Sequence, residues 1–211
     1  QLEEEFKNCV KLLKEVMTDV GLIGDLSYRL SKWDPADTEK YIGTPEEWDM
    51  AEGLMRNILN NIGLEFTEAV GEAAFYGPKL DVQMKNVHGK EDTVVTIQVD
   101  LMLARQFNMT YTDSNGQQQY PYIIHRTSLG CYERTIAYLL EKFAGALPLW
   151  LSPEQIRILP IGDDQAEYAE NVRKTLAKAG LRVKCDTRNE KIAYKIRAAQ
   201  LDEGPYMHDI G

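Results

Sequence analysis

The sequence predicts an α+β protein in which an antiparallel sheet with flanking helices precedes a small α/β unit. Segments 79–87 and 93–100 alternate apolar and polar residues and are joined by the link HGKE, a pattern typical of an antiparallel hairpin. The segments around this pair repeat apolar residues every three or four positions, as helices do. Later in the chain, strand and helix patterns alternate, which favours a parallel sheet.

The first predicted helix, at residues 2–20, carries its apolar side chains on one stripe and can end at Gly21. The stripe consists of Leu2, Phe6, Val10, Leu13, Val16, Met17 and Val20. The next segment, DLSYRLSKW, alternates Leu26, Tyr28 and Leu30 with polar neighbours, which predicts a strand.

The second predicted helix has the clearest boundaries in the sequence. Thr44 is expected to cap it, Pro45 suits its first position, and Glu47 completes a capping box. Gly63 is expected to end it. The hairpin 79–100 and the turn SNGQQQ follow, and QYPYIIH predicts a third strand. From Ser128 the period changes to 3.6, which predicts a helix to about Phe143.

A domain boundary is expected in GALPLWLSPEQ, dividing the chain into residues 1–150 and 151–211. Beyond it, IRILPI and LRVKCD are predicted strands, and 164–179 and 189–201 are predicted helices, so the second unit is a small α/β domain. The last segment, GPYMHDIG, begins as a third strand. Three strands make a thin sheet, and this domain is expected to be truncated.

Composition excludes several classes of protein. The 211 residues are 44% hydrophobic and 27% charged, which is ordinary for a globular protein. A net charge of −9 argues against a protein that coats nucleic acid without sequence preference, because such a protein needs a basic surface. No apolar run reaches the ~18 residues of a membrane helix, so no membrane association is expected. Three widely spaced cysteines indicate a reducing cytoplasm.

The strand pattern places polar side chains on one face of the predicted hairpin. Thr96, Gln98 and Asp100 share a face, and Asp81, Gln83 and Lys85 extend it on the neighbouring strand. Such groups suit a pocket for a small ligand, although a sheet with one hydrated face is the commoner explanation for a single strand.

Four further residues are candidates for binding an anion or a metal. Tyr76 and Lys79 flank a Gly-Pro turn and can hold a carboxylate or phosphate, or simply belong to an exposed turn. His125 ends a strand, and Arg134 lies in the helix that follows, where a guanidinium can grip phosphate or stack on a base. A single His is usually structural, and one His cannot make a metal site.

Several motifs in this order resemble threonyl-tRNA synthetases, a family of class II aminoacyl-tRNA synthetases. They are FYGPKLD, TIQVDLMLARQFNMTY, IHRTSLGCYERTIAYLLEKFAGALPLWLSP and DTRNEKIAYKIRAAQL. The resemblance implies that residues 1–150 are the C-terminal part of a catalytic domain, including motif 3. Residues 151–211 would be the N-terminal part of an anticodon-binding domain.

The resemblance also implies roles for individual residues. His125 matches one of three protein ligands to a zinc ion, and Arg134 matches the motif 3 arginine that contacts ATP. Thr96 and Gln98 would line the adenylate and threonine pocket. The other implied roles are threonine and adenylate contacts from Tyr76 and Lys79, a position beside threonine for Thr127, and anticodon contacts from Asn189 and Arg197.

The implied reaction is activation of L-threonine with ATP and transfer to tRNA(Thr) in the cytoplasm, by a homodimer that uses Zn²⁺ and Mg²⁺. The other two zinc ligands and motifs 1 and 2 are not among these residues. The chain alone is therefore expected to bind zinc poorly and to form little adenylate. An exposed half-sheet and a severed dimer interface predict aggregation or poor stability. Alternatives are a non-catalytic synthetase paralogue that binds RNA or regulates, and a sister enzyme such as the prolyl one, against which FYGPK and His125 argue.

Overall fold

The computed structural model describes residues 1–211, which form two compact units, Gln1–Ile136 and Ala137–Gly211. The fold class is confirmed: the first unit is an antiparallel-rich sheet with helices, and the second is a small α/β unit. The division at residues 150 and 151 stays a prediction. No helix in the chain combines the length and the apolar character needed to cross a membrane.

The first unit is built on a five-stranded sheet of β1 (Leu26–Lys32), β2 (Thr67–Val70), β3 (Lys79–Lys85), β4 (Glu91–Asp100) and β7 (Ile123–Arg126), in the order β2-β1-β3-β4-β7. Strand β1 is parallel to β2, and the β1–β3, β3–β4 and β4–β7 pairs are antiparallel. The other elements are α1 (Leu2–Asp19), α2 (Pro45–Asn61), α3 (Leu103–Gln106), β5 (Tyr111–Thr112) and β6 (Gln118–Gln119), and α4 (Tyr132–Phe143) begins in this unit and ends in the second.

The capping box predicted for α2 is present. The Thr44 hydroxyl accepts a hydrogen bond from the Glu47 amide at 3.3 Å, and the Glu47 carboxylate accepts one from the Thr44 amide at 3.1 Å. Two of the amides that a helix start leaves unpaired are therefore satisfied locally. Gly63 follows the helix with a φ of +65°, a conformation that favours glycine, and the chain turns back toward the sheet.

The core lies between one face of the sheet and the two long helices. Leu30, Leu80 and Ile97, from three adjacent strands, are fully buried against Phe6 of α1 and Met55 of α2. This is the apolar face that strand alternation predicts. Burying each such side chain stabilises the fold by ~1.5–3 kcal/mol. Because side chains in a strand alternate between the two faces, the face opposite this core is available for polar groups.

The structure corrects the predicted start of the motif 3 helix. Helix α4 begins at Tyr132, four residues later than Ser128. Residues 128–131 form a turn in which Gly130 has a φ of +77°, and a side-chain carbon there would overlap the Val94 carbonyl oxygen. The turn therefore has to pass close to β4 before a helix can begin, which periodicity alone does not reveal.

Strand β2, which the sequence pattern does not predict, is joined to α2 by an ion pair. Arg56 Nε and Nη2 donate to the two oxygens of Glu68 at 2.6 and 2.9 Å, and Lys32 Nζ lies 3.3 Å from Glu68. The hydrogen bonds from Arg56 lower the pKa of Glu68 from 4.5 to about 2. The carboxylate therefore stabilises the fold above pH 4.5, and this contribution is lost as pH falls toward 2.

Replacing Glu68 by Gln is expected to lower the free energy of unfolding by ~1 kcal/mol at pH 6 and by less at pH 3. The effect is small because the side chain is 34% exposed and water screens the pair. Urea unfolding of both proteins at the two pH values measures it. An equal difference at pH 6 and pH 3 would contradict the assignment of this acid sensitivity to Glu68.

The second unit is a three-stranded parallel sheet in the order β10-β8-β9, with strands β8 (Ile156–Pro160), β9 (Val183–Cys185) and β10 (Tyr206–Ile210) and helices α5 (Ala166–Lys178) and α6 (Ile192–Leu201). The predicted third strand is therefore present. Lys195 joins α6 to the sheet of this unit: the residue is buried, and its Nζ donates to the Pro160 carbonyl of β8 at 2.9 Å.

Candidate functional site

Four polar residues form a row across the sheet, on the face opposite the core. Ser31 of β1 lies beside Lys79 of β3, Lys79 beside Gln98 of β4, and Gln98 beside His125 of β7. Because each is the direct Cα partner of the next, their spacing is set by the backbone ladder at about 4.8 Å per strand. Three of the residues selected from the sequence, Lys79, Gln98 and His125, are thus brought together.

A second row lies one step along the same strands. Arg29 is the partner of Asp81, and Asp81 is the partner of Thr96. The Thr127 amide continues the row from β7 by donating to the Thr96 carbonyl at 3.4 Å. Asp81 is completely buried, so this part of the polar face is not the hydrated surface that alternation alone would allow.

Tyr76 completes the site from the turn that precedes β3. Its hydroxyl donates to Gln98 Oε1, and its ring centroid lies 5.4 Å from that of His125. Burial raises the pKa of Tyr76 above 10, and the negative charge of Asp100 raises it further. The phenol therefore stays protonated at neutral pH and acts as a neutral hydrogen-bond donor.

The Gly-Pro turn explains how Tyr76 reaches this position. A side-chain carbon on Gly77 would overlap the carbonyl oxygen of Val99, so only glycine lets the turn lie directly against β4. The Val99 amide in turn donates to the Pro78 carbonyl at 3.3 Å. The FYGPK motif therefore forms a tight turn that holds Tyr76 and Lys79 next to β4, the strand that carries Gln98.

His125 is oriented by the buried carboxylate of Asp100. Its Nε2 lies 2.8 Å from Asp100 Oδ2, and Asp100 is fully buried. The other oxygen, Oδ1, accepts hydrogen bonds from the amides of Met102 and Leu103 at 2.8 and 2.9 Å. The position of Asp100 on the polar face of β4 was predictable, but its pairing with His125 depends on strand register.

This arrangement fits one ligand of a zinc site but not a whole site. A metal-binding imidazole is commonly fixed by a carboxylate on its second nitrogen, and the Asp100 pair leaves Nδ1 of His125 for a ligand. Zinc, however, takes three or four protein ligands, and no three His, Cys, Asp or Glu side chains of this chain are grouped closely enough to hold a metal.

Arg134 lies at the other end of β4 from Gln98. It is exposed near the start of α4, and its Nη1 donates to the Thr93 carbonyl, five residues before Gln98. It is therefore not in contact with the row that contains His125. Along the same face, Gln83 Nε2 donates to the Thr93 hydroxyl at 2.7 Å, so polar groups continue from the row toward Arg134.

The candidate anticodon residues lie in the second unit, and both are exposed. Asn189 precedes α6, and Arg197 is within it. Next to Asn189, Arg188 forms a two-pronged pair with Asp186 at 2.8 and 2.6 Å, and these bonds lower the pKa of Asp186. Residues 155–211 hold ten Lys and Arg against nine Asp and Glu, a net +1 in a chain of −9, which suits RNA better than the rest of the chain.

Comparisons with known proteins agree with these two units. Residues 1–143 match the family model of the tRNA synthetase class II core domain (G, H, P, S and T), and residues 155–211 match that of the anticodon binding domain. The whole chain is 56% identical to the threonine–tRNA ligase of Clostridium perfringens and 44% identical to that of Halalkalibacterium halodurans. It spans about a third of the length of these relatives, 33% of each.

A solved structure has the same fold over the whole chain. It is the RNA binding domain of threonyl-tRNA synthetase from Cryptosporidium parvum, which matches with a TM-score of 0.89 and 34% identity, the match covering 52% of that chain. The resemblance recognised in the motifs is confirmed along all 211 residues. With 1–143 matched to the core domain, the chain belongs to the class II aminoacyl-tRNA synthetase family.

Proposed function

We propose that this chain contributes the motif 3 half of the active site, and the start of the anticodon-binding domain, to a threonine–tRNA ligase. In that reaction the threonine carboxylate attacks the α-phosphate of ATP, and the resulting adenylate passes its acyl group to a ribose hydroxyl of tRNA(Thr). Negative charge develops on phosphorus, so cationic and hydrogen-bonding groups supply the catalysis and no protein nucleophile is needed.

The observation that carries this proposal is the row of Lys79, Gln98 and His125 with Tyr76 above it. It offers an ammonium, an amide, an imidazole and a phenol to one face of a sheet, within a chain similar to threonine–tRNA ligases from end to end. Such a set suits a small polar ligand that carries a carboxylate, an amino group and a hydroxyl.

Each side chain has a role that its surroundings support. Lys79 and Thr96 would contact the adenylate. Gln98, held by the Tyr76 hydroxyl, would present its amide N–H groups to threonine or the adenylate. Arg134, which is exposed, would contact ATP at the far end of the strand, with Mg²⁺ accompanying the nucleotide. Thr127, at the end of β7, would lie beside threonine.

His125 would hold zinc together with ligands that this chain does not supply. When bound, zinc would accept the amino and hydroxyl groups of threonine and so distinguish it from valine, which packing alone separates by only ~1–3 kcal/mol. The chain's own contribution is to fix the ring, because Asp100 pairs with Nε2 and leaves Nδ1 for a ligand.

Transfer RNA would be engaged by the second unit, with Asn189 and Arg197 facing the anticodon loop. Their exposure and the slight positive charge of residues 155–211 support this role. The cytoplasm is the proposed setting. All three cysteines are unpaired, which fits a reducing compartment.

Pyrophosphate exchange tests the proposal. The assay uses a protein that contains these residues and is as long as the relatives described above. We expect exchange that depends on threonine and not on proline, with serine activated weakly. Replacing Gln98 by Ala should lower kcat/KM for threonine by about 100-fold, because a positioned hydrogen-bond donor is lost. The matched control is Gln117→Ala, since Gln117 is exposed in the turn between β5 and β6.

The 211-residue chain by itself is expected to show little exchange, since one imidazole does not hold zinc. A full-length protein that binds tRNA but shows no pyrophosphate exchange with any amino acid would refute the ligase proposal. That result would favour the non-catalytic, RNA-binding alternative.

A further inference from the structure

The second row contains a cation that no motif singles out, Arg29 of β1. It lies on the same sheet face as Lys79, and the two share one partner. Arg29 Nη2 and Lys79 Nζ each lie 3.3 Å from the same oxygen, Asp81 Oδ2. The two positive groups are therefore neighbours, although their residues stand on different strands.

Asp81 is built to hold these cations. It is fully buried, and the Ser31 hydroxyl donates to its Oδ2 at 2.6 Å while the Thr96 hydroxyl donates to Oδ1 at 3.1 Å. Hydroxyl groups from strands on both sides therefore fix the carboxylate. Burying a charged group costs free energy, and a buried ion pair adds little stability compared with apolar side chains of similar volume. The presence of Asp81 in this position therefore indicates a role other than stability.

The charges of this cluster do not cancel locally. One buried carboxylate faces two cations whose side chains are 25% and 20% exposed. A second carboxylate, Glu72, lies 3.9 Å from Arg29, but it is 56% exposed and water screens it. Arg29 uses Nε for the Ser31 hydroxyl and Nη2 for Asp81, which leaves the N–H groups of Nη1 for a ligand.

We infer that Arg29 is a further substrate-binding residue of this site, and that Asp81 is the positioning residue that holds it beside Lys79. The pair binds an anionic group of a substrate, either a phosphate of ATP or the carboxylate of threonine. This inference rests on the proposed function, because the row next to Arg29 carries Lys79 and Gln98. It adds a cation on β1, a strand to which no role was assigned.

Kinetics of the full-length ligase test it. Arg29→Met is expected to raise KM for one substrate by about 10- to 100-fold, since a hydrogen bond to a charged group is lost. A rise for ATP identifies phosphate as the ligand, and a rise for threonine identifies the carboxylate. Arg29→Lys should recover part of the affinity. The matched control is Arg56→Met, which removes an ion-paired arginine that contacts Glu68 instead of this cluster.

Asp81→Asn distinguishes positioning from stability. We expect Asp81→Asn to raise the same KM, and Arg29→Met to have a smaller further effect in that background than in the parent, because the two residues act together. Purely structural residues would lower the melting temperature and leave both KM values alone. Arg29→Met and Asp81→Asn variants with KM values within twofold of the parent would overturn the inference.

Direct binding separates this inference from the ligase proposal. Inorganic pyrophosphate and L-threonine are titrated into the 211-residue chain and its Arg29→Met variant by calorimetry. If the full-length protein lacks exchange but the variant binds either probe at least tenfold more weakly, the anion site stands and the ligase proposal fails. If exchange occurs and neither KM nor probe binding changes, the anion site fails and the ligase proposal stands.

Discussion

Replacing Asp100 by Ala is expected to lower the free energy of unfolding by about 3 kcal/mol, because hydrogen bonds to a buried carboxylate are lost and their donors are left unsatisfied. The carboxylate is fully buried, with His125 Nε2 on one oxygen and the Met102 and Leu103 amides on the other. The variant leaves two backbone donors and an imidazole without their partner. Denaturant unfolding of the 211-residue chain measures the loss.

Asp113 provides a matched control for this prediction. Its Oδ1 also accepts two backbone amides, from Asn115 and Gln117, both at 2.9 Å, but the residue lies in an open turn and has no histidine partner. Asp113→Ala is expected to cost much less, because its hydrogen bonds form in a turn that water reaches. Equal losses for the two variants would show that burial and the His125 pair add nothing.

Replacing Gly130 by Ala is expected to cost about 3 kcal/mol and to displace the turn before α4. The residue has a φ of +77°, and an added side-chain carbon would overlap the Val94 carbonyl group. Strained backbone accounts for ~1–2 kcal/mol of this cost, and overpacking accounts for the rest. Thermal unfolding of the variant gives the measurement.

Gly116 separates these two contributions because it has the same φ of +77° but no atom within 4 Å of an added side-chain carbon. Gly116→Ala should therefore show only the cost of strained backbone, about 1 kcal/mol. If Gly130→Ala were no more harmful than Gly116→Ala, the turn would not depend on close approach to β4.

Local pattern was enough to predict much of this fold. The alternation of Val95, Ile97 and Val99 with polar neighbours correctly assigned the two faces of β4, because side-chain direction in a strand has a period of two. The capping box of α2 was predictable because Thr44 and Glu47 act within one turn. What could not be predicted was the start of α4, which depends on a contact between Gly130 and a distant strand.

The site was predictable only in part, for a related reason. Sequence motifs identified Lys79, Gln98 and His125, but not that they are consecutive partners across three strands, since register depends on the whole sheet. The pattern places Asp81 and Asp100 on a polar face, but their buried pairings with Ser31, Thr96 and His125 involve residues 15 to 50 positions away. Arg29 carried no signal at all, because an alternating strand is expected to contain an exposed arginine.

The two-row arrangement has a consequence for how such a site can diverge over time. The groups of the two rows stand at fixed positions of the strand ladder, so replacing one side chain does not change which residues face the site. An insertion or deletion inside β3 or β4 would instead turn the following side chains toward the opposite face unless a bulge absorbed it, as the register shift between Val82 and Gln83 shows for one residue. Variation in length should therefore be confined to the connecting loops, such as residues 86–90, while the strands evolve by replacement in place.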